Sequence, residues 1–275
     1  MWIVGFPLVK NHGARVVWTV HNLEPHNREW PRLVVDVFYR AWLSMVDGCI
    51  FLNKSSREAF DVKFGCKRKS QIIQHGHYCS VFREIVSSSD FLAQIGLRRG
   101  DFVIGHYGQI RAYKNIVDLL EAFYRLEGEG LRLVIAGSAT GSEKGLLEQI
   151  EALAERDRRV IFHPEFVTNE ELKALYSVTS LTVFPYSKIL NSGSAILSLS
   201  MNTPVLVAEA ESLRDLYDEV GAGSIFFIRN DLLSEIQRVL GILKGASVTR
   251  SIDMSMLDWG PISRATYEFY VSLLK

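Results

Sequence analysis

The sequence is poor in cysteine. Its three, Cys49, Cys66 and Cys79, are odd in number and fit neither a zinc module nor a disulfide framework. Cys49 stands in an apolar run and reads as a small core residue. A reducing, cytoplasmic setting is the expectation. An excess of charge is missing too. With 31 Lys and Arg against 31 Asp and Glu, no global field draws the chain to nucleic acid. The local cluster Lys67-Arg68-Lys69 reads as a solvated turn. No run reaches the roughly 18 apolar residues of a membrane span, and the first residues lack the order of a signal peptide. There is no Asp-x-Asp motif. No Gly-x-Gly-x-x-Gly follows an apolar run, which argues against a nicotinamide dehydrogenase. His21 and His26 are separated by Pro25, which speaks against a helical metal pair.

What is present is an ordinary globular composition, 48% hydrophobic and 23% charged over 275 residues, enough for one or two domains. Short apolar runs alternate with helical patterns. Residues 15–20 predict a strand, 31–46 a helix, 49–52 a strand. Ser55 and Ser56 are candidate caps for a helix ending near Gly65. Residues 71–73 predict a third strand. A polar stretch, 79–100, contains Ser87-Ser88-Ser89 and is expected to hold an interdomain linker. The pattern then restarts. Strands are predicted at 102–107, 131–136, 160–162, 181–184 and 204–208. Amphipathic helices lie between them, one opened by the capping box Thr168-Asn169-Glu170-Glu171. Such alternation predicts parallel sheets covered on both faces, in two Rossmann-like blocks.

Ligands of doubly wound sheets bind beyond the carboxyl ends of the strands, so the residues there are the candidates. After 102–107 comes Gly108-Gln109-Ile110-Arg111-Ala112-Tyr113-Lys114-Asn115. It places two cations between a strand-end glycine and a helix start, where free N–H groups already favour anions. Arg and Lys together suit a diphosphate. Gly137-Ser138 follows the next strand. Asn191-Ser192-Gly193-Ser194 forms a second small-residue turn before a helix. His21 and His75-Gly76 end strands of the first block.

These segments resemble family 4 GT-B glycosyltransferases. The run from Gly108 to Asn115, followed by Leu119-Leu120-Glu121-Ala122-Phe123, is similar to a hallmark of that family. Leu133–Gly137, Phe166 through Pro185, and Ser192-Gly193 through Asn202-Thr203-Pro204-Val205 resemble its following strands and donor helix. Val17 to Asn22 resembles its T-x-H strand end. Asp258-Trp259 through Leu274 resembles its last helix. The resemblance implies an α/β GT-B fold. Residues 1–92 would be a partial acceptor-side domain with linker, 93–257 the nucleotide-sugar domain, and 258–275 a helix crossing back. It implies sugar transfer with retention from a nucleotide-diphosphate sugar to a glycan or lipid-linked acceptor, in surface or exopolysaccharide synthesis. The setting would be cytoplasmic, with peripheral association at the inner membrane face. Arg111 and Lys114 would stabilise the departing diphosphate. The resemblance implies that neither a metal nor a cofactor is needed for this, and the missing Asp-x-Asp motif agrees with that. His21 would contact the donor sugar across the cleft, and Gly108, Gly137, Asn191, Ser192, Gly193 and Ser194 would line the donor. His75 and Gly76 are candidate cleft contacts.

Two departures stand out. The family's paired glutamates, eight positions apart, hold the sugar and the ribose; they fall here on Ile189 and Leu197, neither of them acidic, so that either serines such as Ser194 replace them or the donor is bound weakly. The first block also has about half the expected size, which predicts N-terminal truncation. The alternative function is a non-catalytic nucleotide- or partner-binding module.

Overall fold

The computed structural model describes residues 13–22, 31–65, 67–85, 89–98, 100–187, 193–221, 223–245 and 251–275. They form two units. One runs to Gly76 and adds Glu211–Asp215 and Leu257–Lys275; the other comprises His77–Ala210 and Leu216–Met256.

The first unit holds a parallel sheet, β1 (Val17–Val20), β2 (Gly48–Phe51) and β3 (Lys69–Ile72), in that order. On one face Val20, Cys49, Phe51, Phe60 and Phe64 make a core with Trp18, Tyr39 and Trp42. Helix Lys54–Phe64 is capped by Asn53, not by Ser55 or Ser56. The Asn53 side chain accepts from the Ser56 N–H, and Gly65 closes the helix in the left-handed conformation. On the other face Ile50 and Ile73 pack with Phe269 of the last helix, Trp259–Ser272. That helix lies so close to β2 that a Cβ at Gly48 would stand 2.9 Å from Leu273 and Phe269. Two residues of the basic cluster, Arg68 and Lys69, have structural partners. Arg68 donates to the carbonyls of Leu43 and Ser44 at the end of helix Arg32–Met45, and Lys69 to that of Ser272, where helix dipoles favour cations. The apolar residues of helix Arg32–Met45 do not all face inward. Trp42 and Leu43 join the core, while Leu33 is 75% exposed and Val37 is exposed as well.

The second unit holds six parallel strands: β4 (Phe102–Tyr107), β5 (Leu131–Ala136), β6 (Val160–His163), β7 (Thr179–Phe184), β8 (Val205–Ala208) and β9 (Ile225–Ile228). Their order is β6-β5-β4-β7-β8-β9. Successive crossovers run outward from β4 to β6, then return to its other side. β4 and β7 therefore flank the switch point at which such sheets bind ligands. Ile104, Leu133, Ile135, Leu181, Val183 and Leu206 bury one sheet face beneath Leu119, Phe123, Ile150 and Ile236. Thr168 and Glu171 form the expected capping box. Within the polar stretch expected to hold a linker, the described residues include helices Cys79–Arg83 and Ser89–Gln94. Phe91 is drawn into the core beside Tyr107 and Leu175. Among the described residues no helix is long and apolar enough to cross a membrane.

Candidate functional site

Glycine determines how the first two strands of this sheet end. Gly108 and Gly137 both have positive φ, +121° and +147°, a region that bulkier residues rarely enter. A Cβ on Gly137 would stand 2.3 Å from the Gly108 oxygen, so the two strand-end turns touch backbone to backbone. Ile110 N–H then donates to Ser138 at 2.9 Å, which binds the loop after β4 to the loop after β5.

The loop after β4 next forms a single 3-10 turn, Ala112–Lys114. Asn115 at its end is left-handed (φ 52°), and helix Ile116–Tyr124 begins there. The Asn115 amide donates to the Pro185 carbonyl at 2.8 Å, and the Ser187 N–H to the Tyr113 carbonyl at 2.9 Å. The segments beyond β4 and β7 are thus latched across the switch point.

This arrangement folds Lys114 inward. It is only 5% exposed. Its Nζ lies 3.3 Å from the position a Cβ would take on Gly108 and 5.3 Å from the centroid of the Tyr186 ring. No carboxylate pairs with it among the described residues. Burial, and secondarily the Arg111 charge, lower its pKa from 10.5 to about 8. Arg111 is placed differently. Its guanidinium donates to Thr140 at 2.7 Å and lies 3.9 Å from a Glu143 carboxylate oxygen. His106, one strand residue from Gly108, is fully buried. Its Nδ1–H donates to the Val183 carbonyl at 2.8 Å, while Nε2 has no partner among the described residues. Desolvation, then the Lys114 charge, lower its pKa to about 3, so the imidazole is neutral.

A cleft of about 570 Å³ opens at these strand ends. Its lining includes Tyr107, Gly108, Gly137, Phe166, Gly193 and Ser194, and its size is within the roughly 300–1,000 Å³ usual for small-molecule sites. The structure therefore brings Gly108, Gly137, Gly193 and Ser194 to one cavity; Arg111 and Lys114 are not in its lining, but Lys114 Nζ lies against Gly108, which is. Leu197 also lines the cavity, an apolar residue where a ribose-binding acid was sought. Asn191, Ser192 and Ile189 lie outside the described residues. His21, His75 and Gly76 belong to the first unit. There His75 Nδ1 donates to the Gly76 carbonyl at 2.7 Å, and Gly76 lies against the Trp259 ring.

Reading the sequence placed Tyr186 after a strand and His106 within one, and gave neither a role in the site. His106 stands in an apolar run just before the loop with two cations, and Tyr186 follows the apolar run of β7; both resemble core positions.

The strand order, the latched strand ends and an unpaired buried cation define a parallel α/β domain suited to an anionic ligand. The chain belongs to the family Glycosyl transferases group 1, which residues 88–240 match; it is a glycosyltransferase. It is 28% identical over 268 residues to a GDP-mannose:glycolipid 4-beta-D-mannosyltransferase of Xanthomonas campestris pv. campestris, covering 95% of this chain and 70% of that protein. Among solved structures, the Anabaena HepE protein in complex with UDP and glucose superposes with a TM-score of 0.79 at 16% identity, over 98% of this chain and 75% of that one. Sucrose-phosphate synthase from Thermosynechococcus elongatus gives 0.75 at 18%, over 98% and 71%. These likenesses establish the GT-B fold.

Proposed function

We propose that the chain transfers a mannosyl group from GDP-mannose to a glycolipid acceptor during surface polysaccharide synthesis. The observation that carries this reading is Lys114. A nearly buried ammonium without a carboxylate is costly unless an anion joins it, and here it is held beside a ligand-sized cleft. A diphosphate at Gly108 would take the Lys114 charge, with the start of helix Gly193–Ser200 facing it. Negative charge grows on the diphosphate as the bond to the sugar breaks, so a fixed cation there stabilises the transition state more than the ground state. Arg111 adds field from further out. Phe166, 77% exposed on the rim, offers a face for the nucleotide base. The first unit would serve the acceptor side, with His21 and His75 reaching substrate, in the cytoplasm at the inner membrane face.

The name of the Xanthomonas relative supports mannose, the GDP carrier and the glycolipid. It also bears on stereochemistry. GDP-mannose holds its sugar in α linkage, so a 4-β product is an inverted one, and we propose inversion. Retention, implied by the resemblance to family 4, is the second reading. A non-catalytic nucleotide-binding module is a third, favoured by Leu197 in the cleft.

Incubation with GDP-mannose and a lipid-linked oligosaccharide tests the reading. A β-mannosylated product, identified by its anomeric C–H coupling, is expected. An α product would establish retention. Transfer only from a uridine donor would overturn the choice of GDP-mannose, and GDP binding without transfer from any donor would favour the binding module.

A further inference from the structure

A buried lysine usually owes its position to a carboxylate. At a diphosphate site such a partner would neutralise the ammonium and repel the ligand. Lys114 is held by other means. The Tyr186 face lies 5.3 Å beneath its Nζ, and an aromatic face attracts a cation without consuming its N–H donors.

We propose that Tyr186 is a positioning residue for Lys114: its ring holds the ammonium beside Gly108 and leaves the N–H donors to the diphosphate. The proposal rests on reading Lys114 as the diphosphate ligand.

The ring is fixed from several sides. Tyr186 is 7% exposed. Its centroid lies 5.4 Å from Phe184, 5.8 Å from Tyr113 and 5.9 Å from His106, the last two edge-on. The Asn115–Pro185 and Ser187–Tyr113 hydrogen bonds hold the backbone on both flanks. The Tyr186 hydroxyl meets Ser194 Oγ at 3.5 Å, at the start of the helix that would face the same anion. One residue thereby touches both diphosphate-facing elements. His106 completes the box from the strand. Its proton is on Nδ1, because the Val183 carbonyl can only accept, and its neutrality keeps a second cation away from Lys114.

Calorimetric titration with GDP tests the proposal on wild type, Tyr186→Phe, Tyr186→Leu, Lys114→Met and the double variant Tyr186→Leu/Lys114→Met. Tyr186→Phe keeps the ring and is expected to bind within about threefold of wild type, whereas Tyr186→Leu is expected to bind about 10- to 30-fold more weakly. In the Lys114→Met background, Tyr186→Leu is expected to add nothing, since the residue acts through the lysine. Equal losses in both backgrounds, or wild-type affinity in Tyr186→Leu, would overturn the positioning role and leave the donor site standing. Wild-type affinity in Lys114→Met would overturn the donor reading itself. Should leucine unfold the domain, Tyr186→Met fills a similar volume and carries the same comparison.

Discussion

Gly137 and Gly108 meet so closely that a side chain on the first would occupy the carbonyl of the second, at 2.3 Å. The contact joins the ends of β4 and β5 and shapes the floor of the cleft. Gly137→Ala must move one turn and strain a φ of +147°. The expected cost is on the order of 3 kcal/mol in denaturant unfolding, with GDP affinity lowered at least tenfold. Unchanged affinity would show that the floor does not shape the site.

Lys114 links affinity and stability to pH with opposite signs. In the free chain its proton is lost as pH rises through about 8. GDP binding should therefore weaken above pH 8, by about tenfold per unit for one proton taken up on binding. For stability the sign reverses. Between about 8 and 10.5 the unfolded chain keeps a proton that the folded chain has released, so stability rises with pH in that window. Titrations at several pH values, and unfolding compared with Lys114→Met, check both limbs; the variant should show neither.

The two cations of the loop should not be equivalent. Arg111 has Glu143 at 3.9 Å and Thr140 at 2.7 Å, so its charge is partly matched before any ligand arrives. Arg111→Ala is expected to lower transfer about tenfold, and Lys114→Ala by 100-fold or more, with the fold retained in both. Steady-state rates with saturating acceptor decide. Equal losses would mean that Arg111 leaves Glu143 to bind the donor.

Gly76, a candidate cleft contact, lies against an indole. A Cβ there would stand 2.4 Å from the Trp259 ring. Gly76→Ala should destabilise by about 2 kcal/mol through overpacking. Adding Trp259→Ala should recover part of that loss. Additive losses in thermal unfolding would contradict the packing role.

Much of this was legible in the chain. Leu131–Ala136 and Phe102–Tyr107 are apolar runs bounded by glycine and read as strands at once, and Thr168 with Glu171 announces a helix start. Between Ala208 and Asp258 the reading assigned no element, while the last helix, expected from Asp258 to Leu274, stands at Trp259–Ser272. Ile225–Ile228 is only four residues long, and helix Leu232–Gly245 follows without a recognised signal. The site was half legible. Arg111 and Lys114 stand out as cations after a strand-end glycine, but nothing in their order says that one is paired and the other buried. Tyr186 was hidden for a related reason: an aromatic residue after a strand looks like core until the fold places a lysine over its face.

The central claim is that Lys114 is the anion-binding centre of a guanosine diphosphate site. Titration of the wild-type chain and of Lys114→Ala with GDP and with UDP, followed by thermal stability, tests it most directly. Selective stabilisation by GDP, about 2.7 kcal/mol at a hundredfold excess over Kd and lost in the variant, is the predicted result. Equal stabilisation of both proteins would contradict the claim.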